Sequence, residues 1–374
     1  MKTIVKLMAI LFVVTIFIGC DDNNFKHIKT GDGVMYYGHT INGSYYGFVG
    51  GDLYFLEDTE ETDYVSLLDV LRIKKDIYSL TYEYLKSKEY SPGSVATLVL
   101  RKNGKYIDTI PIEYAYLCNI NENVRIYSMP FFITTSTDIQ QYWENGNMYE
   151  NNLDAPTLNS MTLWAVAEQN IYHKGDIYSS GYLYTANGKT PCIWKNNQLL
   201  YHDNPLINTN LSSKGFIIDK NDNIIVLSNY FTTNSSDINS PHGLAATYKD
   251  GQLDFVYGDT VRFKTDFKYN VRPIGIVQEN NDIYVGVYEI NQYIDQNKVI
   301  IYKNNEVYIT KDLAKAFYGF TVKDGNVYFA YDAYYANEGF VGQHITIMKN
   351  NDVINGMIER AGDQLMFKGF EIVK

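Results

Sequence analysis

Cysteine, proline and positive charge are all scarce in this chain of 374 residues. There are 3 Cys and 8 Pro, and the formal net charge is −11. The negative charge would repel a phosphate backbone, and no basic stripe is interleaved with aromatic residues, so nucleic-acid binding is not expected. The sequence has no CxxC pair and no Cys/His cluster at zinc spacing, and we therefore expect no metal site and no cofactor.

Two of the three cysteines, Cys118 and Cys192, could form a disulfide only if the fold brought them together. Because a free cysteine packs as a small hydrophobic residue, we expect two separate buried thiols.

Tyrosine, by contrast, is abundant. There are 35 Tyr, and aromatic residues make up 15% of the chain. This composition, together with the few prolines, favours half-buried β-strands over helical bundles. The length suits one large β domain or two ordinary domains.

The first 20 residues predict a signal peptide. A basic start with Lys2 and Lys6 is followed by an apolar run over 7–18. A membrane span needs about 20 apolar residues, so this run is too short for one. The end of the segment, Gly19-Cys20, resembles the lipobox of bacterial lipoproteins, although Phe17 stands where Leu is usual. The resemblance implies that Cys20 is acylated; an ordinary secretory signal is the alternative.

The residues after Cys20 indicate a tether and a location. Asp21-Asp22 resembles the surface-export signal of Bacteroidetes lipoproteins, whereas in enterobacteria an Asp directly after the cysteine marks inner-membrane retention. We expect 21–33 to be a flexible tether. The expected location is the cell envelope, with the protein lipid-anchored at the outer membrane and exposed on the surface. The membrane is then a partner through the lipid alone.

Two landmarks recur along the chain. The first is a short strand such as Asp176-Ile177-Tyr178-Ser179, and the second is a turn such as Trp194-Lys195-Asn196-Asn197. Asn-Gly, Asp-Gly and Asn-Asn tolerate the positive φ angles of a two-residue hairpin turn. The first landmark also occurs at 76–79, 125–128, 223–226, 282–285 and 326–329, and the second at 101–104, 143–146, 248–251, 302–305 and 348–351.

The spacing of these landmarks predicts an all-β fold, a β-propeller of four-stranded blades over 34–374. Six units are complete. We interpret Gly47–Phe55 as an upstream strand plus a first strand, and 362–367 as another first strand. Strands from 34–57 and 357–374 are expected to combine into a seventh blade, so that pairing of the two termini closes the ring. Six or eight blades are the alternatives.

The unit at 176–197 resembles repeats of secreted and lipid-anchored β-propeller proteins of Bacteroidetes. The shared features are Asp-Ile-Tyr, a Gly-Tyr continuation at Gly181-Tyr182, and Trp-Lys-Asn. The resemblance covers about residues 45–370 and implies the fold. It is nearly silent on function.

No catalytic constellation is found in the sequence. Asp219–Asn223 begins like a calcium loop, but Ile224 stands where such a loop needs Gly, and Tyr230 where it needs Glu. A hairpin turn is therefore predicted there. None of the six histidines lies at metal spacing with Glu or beside a nucleophile elbow. We assign no catalytic residue.

Tyr-rich segments are the candidate binding surfaces, because an exposed tyrosine can stack on a sugar or contact a protein partner. Packing between blades is the alternative for most of them. The sequence suggests a non-catalytic surface lipoprotein that recognises a glycan or a protein. Alternatives are a carbohydrate-active enzyme of glycoside hydrolase type with axial carboxylates, and an outer-membrane assembly component facing the periplasm. The candidate ligand-binding residues are Tyr182, Tyr184, Tyr334 and Tyr335.

Overall fold

The regular elements of the described chain are all β-strands. The computed structural model describes residues 33–40, 43–48, 53–55, 62–74, 76–85, 97–112, 115–128, 139–155, 162–185, 188–202, 213–230, 244–259, 269–291, 297–333, 344–358 and 366–372. The predicted signal peptide 1–20, and the predicted tether up to residue 32, lie outside these residues.

The strands form seven four-stranded antiparallel sheets, which we number along the chain. Sheet 1 contains β1 (Val34–Thr40), β2 (Gly43–Phe48), β3 (Leu53–Phe55) and β28 (Met366–Ile372); sheet 2 contains β4 (Thr62–Ile73), β5 (Asp76–Leu85), β6 (Thr97–Lys102) and β7 (Lys105–Ile110); sheet 3 contains β8 (Ala115–Ile120), β9 (Asn123–Ser128), β10 (Gln141–Glu144) and β11 (Asn147–Glu150); sheet 4 contains β12 (Thr162–His173), β13 (Asp176–Thr185), β14 (Gly188–Lys195) and β15 (Gln198–His202). Sheet 5 contains β16 (Ser213–Ile218), β17 (Ile224–Tyr230), β18 (Leu244–Lys249) and β19 (Gln252–Tyr257); sheet 6 contains β20 (Tyr269–Glu279), β21 (Asp282–Asn291), β22 (Lys298–Lys303) and β23 (Glu306–Asp312); sheet 7 contains β24 (Ala314–Lys323), β25 (Asn326–Ala333), β26 (His344–Lys349) and β27 (Asp352–Ile358).

The innermost strands of the sheets are β28, β4, β8, β12, β16, β20 and β24. Each of them contacts the innermost strands of two neighbouring sheets. Sheets radiating from a ring of inner strands are the architecture of a propeller. The predicted all-β propeller of four-stranded blades is confirmed.

Sheet 1 contains strands from both ends of the described chain, in the order β28-β1-β2-β3. β28 runs antiparallel to β1, with Val34 opposite Ile372. The interpretation of the two terminal fragments was wrong in detail. Residues of 47–55 belong to β2 and β3, the two outer strands, and the segment that follows Gly362 leads into β28, an innermost strand. The error arose because hairpins at different positions within a blade share the same pattern of apolar strand, Asn/Asp/Gly turn and apolar strand.

The predicted two-residue turns are confirmed. Asn103, Asn145, Asn304 and their following residues have positive φ, for example 50° at Asn304 and 68° at Asn305. In an antiparallel sheet of four strands, the first and third connections lie at one end and the second at the other. In sheets 2 to 7 every first and third connection has two residues, except for the first connection of sheet 5, so we call this end the tight-turn end. The opposite end is the long-connection end.

Sheet 6 shows why the two landmarks recur together. Ile283 N donates to Asn304 Oδ1 at 2.9 Å, and Asn304 Nδ2 donates to Asp282 Oδ1 at 2.8 Å. Lys303 Nζ lies 2.9 Å from Asp282 Oδ2 and 5.5 Å from the ring centroid of Tyr284. We call this set of contacts, from the turn Asn and its preceding Lys to the start of the second strand, the bracket. The same bracket occurs in sheets 2 and 4. The repeated motif therefore fastens the third connection of a blade to the start of its second strand.

Removing this bracket should destabilise the fold. We expect Asn304→Ala to cost about 2 kcal/mol, because alanine must adopt the left-handed φ and two side-chain hydrogen bonds are lost. Asn304→Gly keeps the turn conformation and should cost about 1 kcal/mol. Urea unfolding followed by tryptophan fluorescence measures both. Equal stability of the two variants and the original chain would contradict the bracket.

Sheet 3 departs from the repeat. The first landmark was predicted at 125–128, but Asn123 pairs with Ile120 in the position that Asp76 has opposite Ile73. The landmark is thus shifted by two residues, because Tyr127-Ser128 imitates the Tyr-Ser of other units. Arg125 now occupies the tyrosine position, and its Nε lies 3.0 Å from Glu144 Oε1. Here an ion pair replaces the lysine-tyrosine contact.

The core lies between adjacent sheets. One apolar cluster, for example, joins Leu227 and Tyr257 of sheet 5 to Val271 and Val285 of sheet 6. Cys118 and Cys192 are buried and form no disulfide within the described residues, as predicted. Burial raises the pKa of the Cys118 thiol to about 12 from its ordinary 9.0. Both thiols therefore act as small core residues.

Candidate functional site

The two ends of the propeller differ in the length of their connections. At the tight-turn end, consecutive strands within each of sheets 2 to 7 are joined by two-residue turns, except at 219–223. Binding sites are commonly built on loops held by a rigid scaffold, so the long-connection end is the candidate functional end. Its longer connections are 56–61, 86–96, 129–140, 151–161, 203–212, 231–243, 258–268, 292–297, 334–343 and 359–365.

The segment Asp219–Asn223 forms the predicted hairpin turn between β16 and β17. Asp219 Oδ1 accepts hydrogen bonds from Asn221 N at 2.8 Å and Asn223 N at 2.9 Å, and Asp219 Oδ2 accepts one from Asn223 Nδ2. The carboxylate is thus occupied by its own turn. Throughout the described ranges, no group of three or more His, Cys, Asp or Glu side chains could hold a metal ion.

The structure describes the side-chain surroundings of one of the four candidate tyrosines, Tyr182. Tyr182 in β13 is only 5% exposed, which fits packing between blades rather than stacking on a ligand in this conformation. Tyr184 is next but one in the same strand, near the long-connection end. Tyr334 and Tyr335 fall outside the described residues, in the connection 334–343 at that same end. Cys20 is also outside them.

Asn270 is an unusual residue at the long-connection end. It lies near the start of β20 and is 1% exposed, yet neither its Nδ2 nor its Oδ1 has a hydrogen-bond partner among the described residues. A buried amide without partners costs about 1–3 kcal/mol, and such groups are uncommon in folded proteins. Arg272 and Tyr288 are opposite each other one pair further along the same face of sheet 6. Sequence analysis missed Asn270, and its only signal was a polar residue inside an apolar strand.

Partly buried polar groups also connect neighbouring sheets. Asp69, at a bulge in β4, accepts hydrogen bonds from Leu117 N of sheet 3 at 2.8 Å and from its neighbour Val70 N at 2.9 Å. Gln169, at the equivalent bulge in β12, accepts one from Phe216 N of sheet 5 at 3.1 Å. The bulges thus aim an acceptor at the next inner strand.

Asp69 should make the stability depend on pH. Burial raises its pKa from 3.8 to about 6, against the two backbone hydrogen bonds that lower it. The folded state therefore prefers the protonated acid, and this contribution is complete below about pH 4 and lost as the pH rises through about 6. We expect the free energy of unfolding of the original chain to fall, relative to Asp69→Asn, by about 1–3 kcal/mol across this window.

Urea unfolding of both proteins, at a series of pH values within that window, measures this difference. Carboxylates such as Asp282, whose pKa is lowered mainly by its hydrogen bond to Lys303, have the opposite dependence. Their contribution is common to both proteins and cancels. Parallel pH profiles of the two proteins would refute the assignment.

Two carboxylates are buried in the described part of the chain. The two, Glu83 and Asp332, lie in sheets 2 and 7. Glu83 is bound by Arg101, whose Nε and Nη2 donate to Glu83 Oε1 and Oε2 at 2.9 Å each. This is the geometry of a structural ion pair.

The described residues also include no helix long and apolar enough to cross a bilayer.

Comparison with known proteins adds the likeness of several solved structures. Neither a protein-family model nor a curated protein matches the chain. The β-propeller domain of the Trilobed protease from Pyrococcus furiosus matches with a TM-score of 0.45 at 14% identity, covering 83% of this chain and 94% of that one. An acylaminoacyl peptidase from Pyrococcus horikoshii matches with 0.45 at 14% identity, covering 80% and 46%. A quinoprotein alcohol dehydrogenase-like protein from Bacteroides thetaiotaomicron matches with 0.45 at 11% identity, covering 90% and 77%.

Proposed function

We propose that this chain is a lipid-anchored, ligand-binding or scaffolding β-propeller of the cell envelope. It recognises a glycan or a protein partner through its long-connection end. The observation that carries the proposal is the unequal length of the connections at the two ends. A rigid scaffold that places its long segments at one end presents an extended surface there.

The proposal includes the form of the scaffold. The seven sheets are the seven blades, and the pairing of β28 with β1 closes the ring. Closure leaves only outermost strands as edges. In sheets 2, 4, 5, 6 and 7 the outermost pair contains a register shift, which blunts those edges. Association through the strand edges is thereby disfavoured, so we expect a ligand to bind at one end of the propeller.

The long-connection end has chemistry suited to a polar ligand. Tyr184, Tyr334 and Tyr335 lie at or near it in the chain, and tyrosine combines an apolar ring with a hydroxyl group. The unpartnered amide of Asn270 has both a donor and an acceptor to offer. The exposed Arg272 adds a positive charge on the same strand. Sugars and peptides both present the complementary groups.

A binding screen tests this proposal. The soluble chain 24–374, which retains every described strand, is applied to a glycan array, and each hit is assayed for reducing-sugar release. We expect binding without release. Release of reducing sugar would instead show that the chain is a carbohydrate-active enzyme. If neither glycan binding nor sugar release is detected, the search turns to protein partners by crosslinking on intact cells.

Matched variants locate the binding end. Arg272→Ala, combined with Tyr334→Ala and Tyr335→Ala, should weaken binding about tenfold or more, since each stacked aromatic or charged contact is worth about 1–2 kcal/mol. Lys174→Ala at the tight-turn end is the control and should leave binding unchanged. Loss of binding in the control alone would refute the choice of end.

A further inference from the structure

A cavity of about 440 Å³ lies at the tight-turn end, where three innermost strands finish. The strands are β4, β24 and β28, from sheets 2, 7 and 1. Three cationic side chains, Arg72, Lys74 and Lys323, line it, and no acidic side chain is among its described lining residues. The other lining residues are Thr321, Val322, Phe370 and Ile372.

The three cationic side chains differ in how firmly they are held. Arg72 is held at the cavity wall, because its Nη1 donates to Ile372 O at 3.2 Å. Lys74 and Lys323 are exposed, and Lys74 Nζ also contacts Glu122 Oε2 of the next sheet. The local positive charge is notable in a chain of net charge −11. A guanidinium group and lysine ammonium groups around one polar cavity are suited to a phosphate group.

The chain enters the propeller beside this cavity. Val34, the first residue of β1, is opposite Ile372, which lines the cavity. The segment 21–33 therefore leaves from the tight-turn end. It has 13 residues and spans at most about 45 Å when extended, or about 20 Å as a flexible coil. If Cys20 carries lipid, the tight-turn end lies close to the membrane and the long-connection end points away from it.

We propose that the cavity binds the phosphate of an anionic lipid head group in that membrane. The proposal rests on the lipid anchor proposed above, but not on the ligand at the long-connection end. A single lipid anchor orients a protein poorly, and a second contact next to the tether fixes the tight-turn end against the bilayer.

Vesicle flotation tests the proposal with the chain from residue 21 onward, which contains every described strand and lacks Cys20. The vesicles are phosphatidylcholine alone, or phosphatidylcholine with a minor fraction of phosphatidylglycerol. We expect binding only to the anionic vesicles, despite the negative net charge. The variant Lys74→Gln with Lys323→Gln should weaken it about 25-fold, because each Lys or Arg near an anionic surface contributes about fivefold.

The matched control removes the same charge from the same end. Lys174 and Lys220 lie in the equivalent turns of sheets 4 and 5 and do not line the cavity. Lys174→Gln with Lys220→Gln should change vesicle binding by less than about twofold. Equal weakening by both pairs would show diffuse attraction and overturn the cavity assignment.

Inorganic phosphate distinguishes the source of the ligand. Competition by phosphate, but not by chloride at matched ionic strength, is expected when the head-group phosphate enters the cavity. Failure to bind anionic vesicles overturns the lipid proposal. If phosphate alone still shifts the thermal unfolding of the original chain, and not that of the Lys74/Lys323 variant, the ligand is free phosphate instead. Neither result bears on the glycan screen or on acylation of Cys20.

Discussion

Replacing Trp194 by alanine should lower the free energy of unfolding by about 3–5 kcal/mol. Trp194 in β14 is the largest of the fully buried side chains, with 0% exposure. It packs against Leu183 and Cys192 and against Leu153 of the segment that follows β11. Its Nε1 donates to Asp154 O at 2.8 Å, so truncation leaves both a cavity and an unpaired carbonyl.

The denaturant midpoint, followed by circular dichroism, measures this loss. Leu200→Ala is the control, because Leu200 belongs to the same sheet and is 46% exposed. It should cost less than about 0.5 kcal/mol. A Trp194 variant as stable as the Leu200 variant would show that the second landmark is not part of the core.

Replacing Arg101 alone should lower the free energy of unfolding nearly as much as replacing Trp194. Arg101→Met leaves the carboxylate of Glu83, which is 5% exposed, without its cation, and an uncompensated buried charge costs about 3–5 kcal/mol. Thr81 Oγ1 still donates to Glu83 Oε1 at 2.9 Å but carries no charge. We expect a large fall in the urea midpoint.

The double variant Glu83→Leu with Arg101→Met distinguishes charge from packing. Because no charge is left buried, it should recover most of the loss and lie within about 1–2 kcal/mol of the original chain. Lys174→Met, which breaks the exposed pair with Asp222, should leave the urea midpoint nearly unchanged. A double variant no more stable than Arg101→Met would mean that the ion pair is not the cause.

The periodic part of the fold was predictable from the sequence. The bracket requires Asp or Asn at the start of one strand and Asn or Asp in the turn of another, so the same residue types recur in each blade. The first landmark of sheet 3 was misplaced because Tyr127-Ser128 imitates it, whereas the true tyrosine position holds Arg125, which pairs with Glu144. Assignment of β28 as an innermost strand required knowledge of which strand lies beside it, and pairing across the whole chain is not encoded locally.

The candidate site was less predictable for a physical reason. Side chains alternate between the two faces of a strand, but in a propeller neighbouring sheets cover both faces. Alternation therefore could not reveal that Tyr182 is buried. The unpartnered amide of Asn270 and the cluster of Arg72, Lys74 and Lys323 depend on residues far apart in sequence. Only the three-dimensional structure places them.

The position of β1 within sheet 1 has a mechanical consequence. If residues 21–33 anchor the protein to a membrane, any drag on the propeller pulls on Val34 along the direction of β1. β1 lies between β28 and β2 and has six register pairs with each. A force along the strand shears both ladders at once instead of unzipping their hydrogen bonds one after another. The strand that bears the tension is thus hydrogen-bonded to a neighbouring strand on each side.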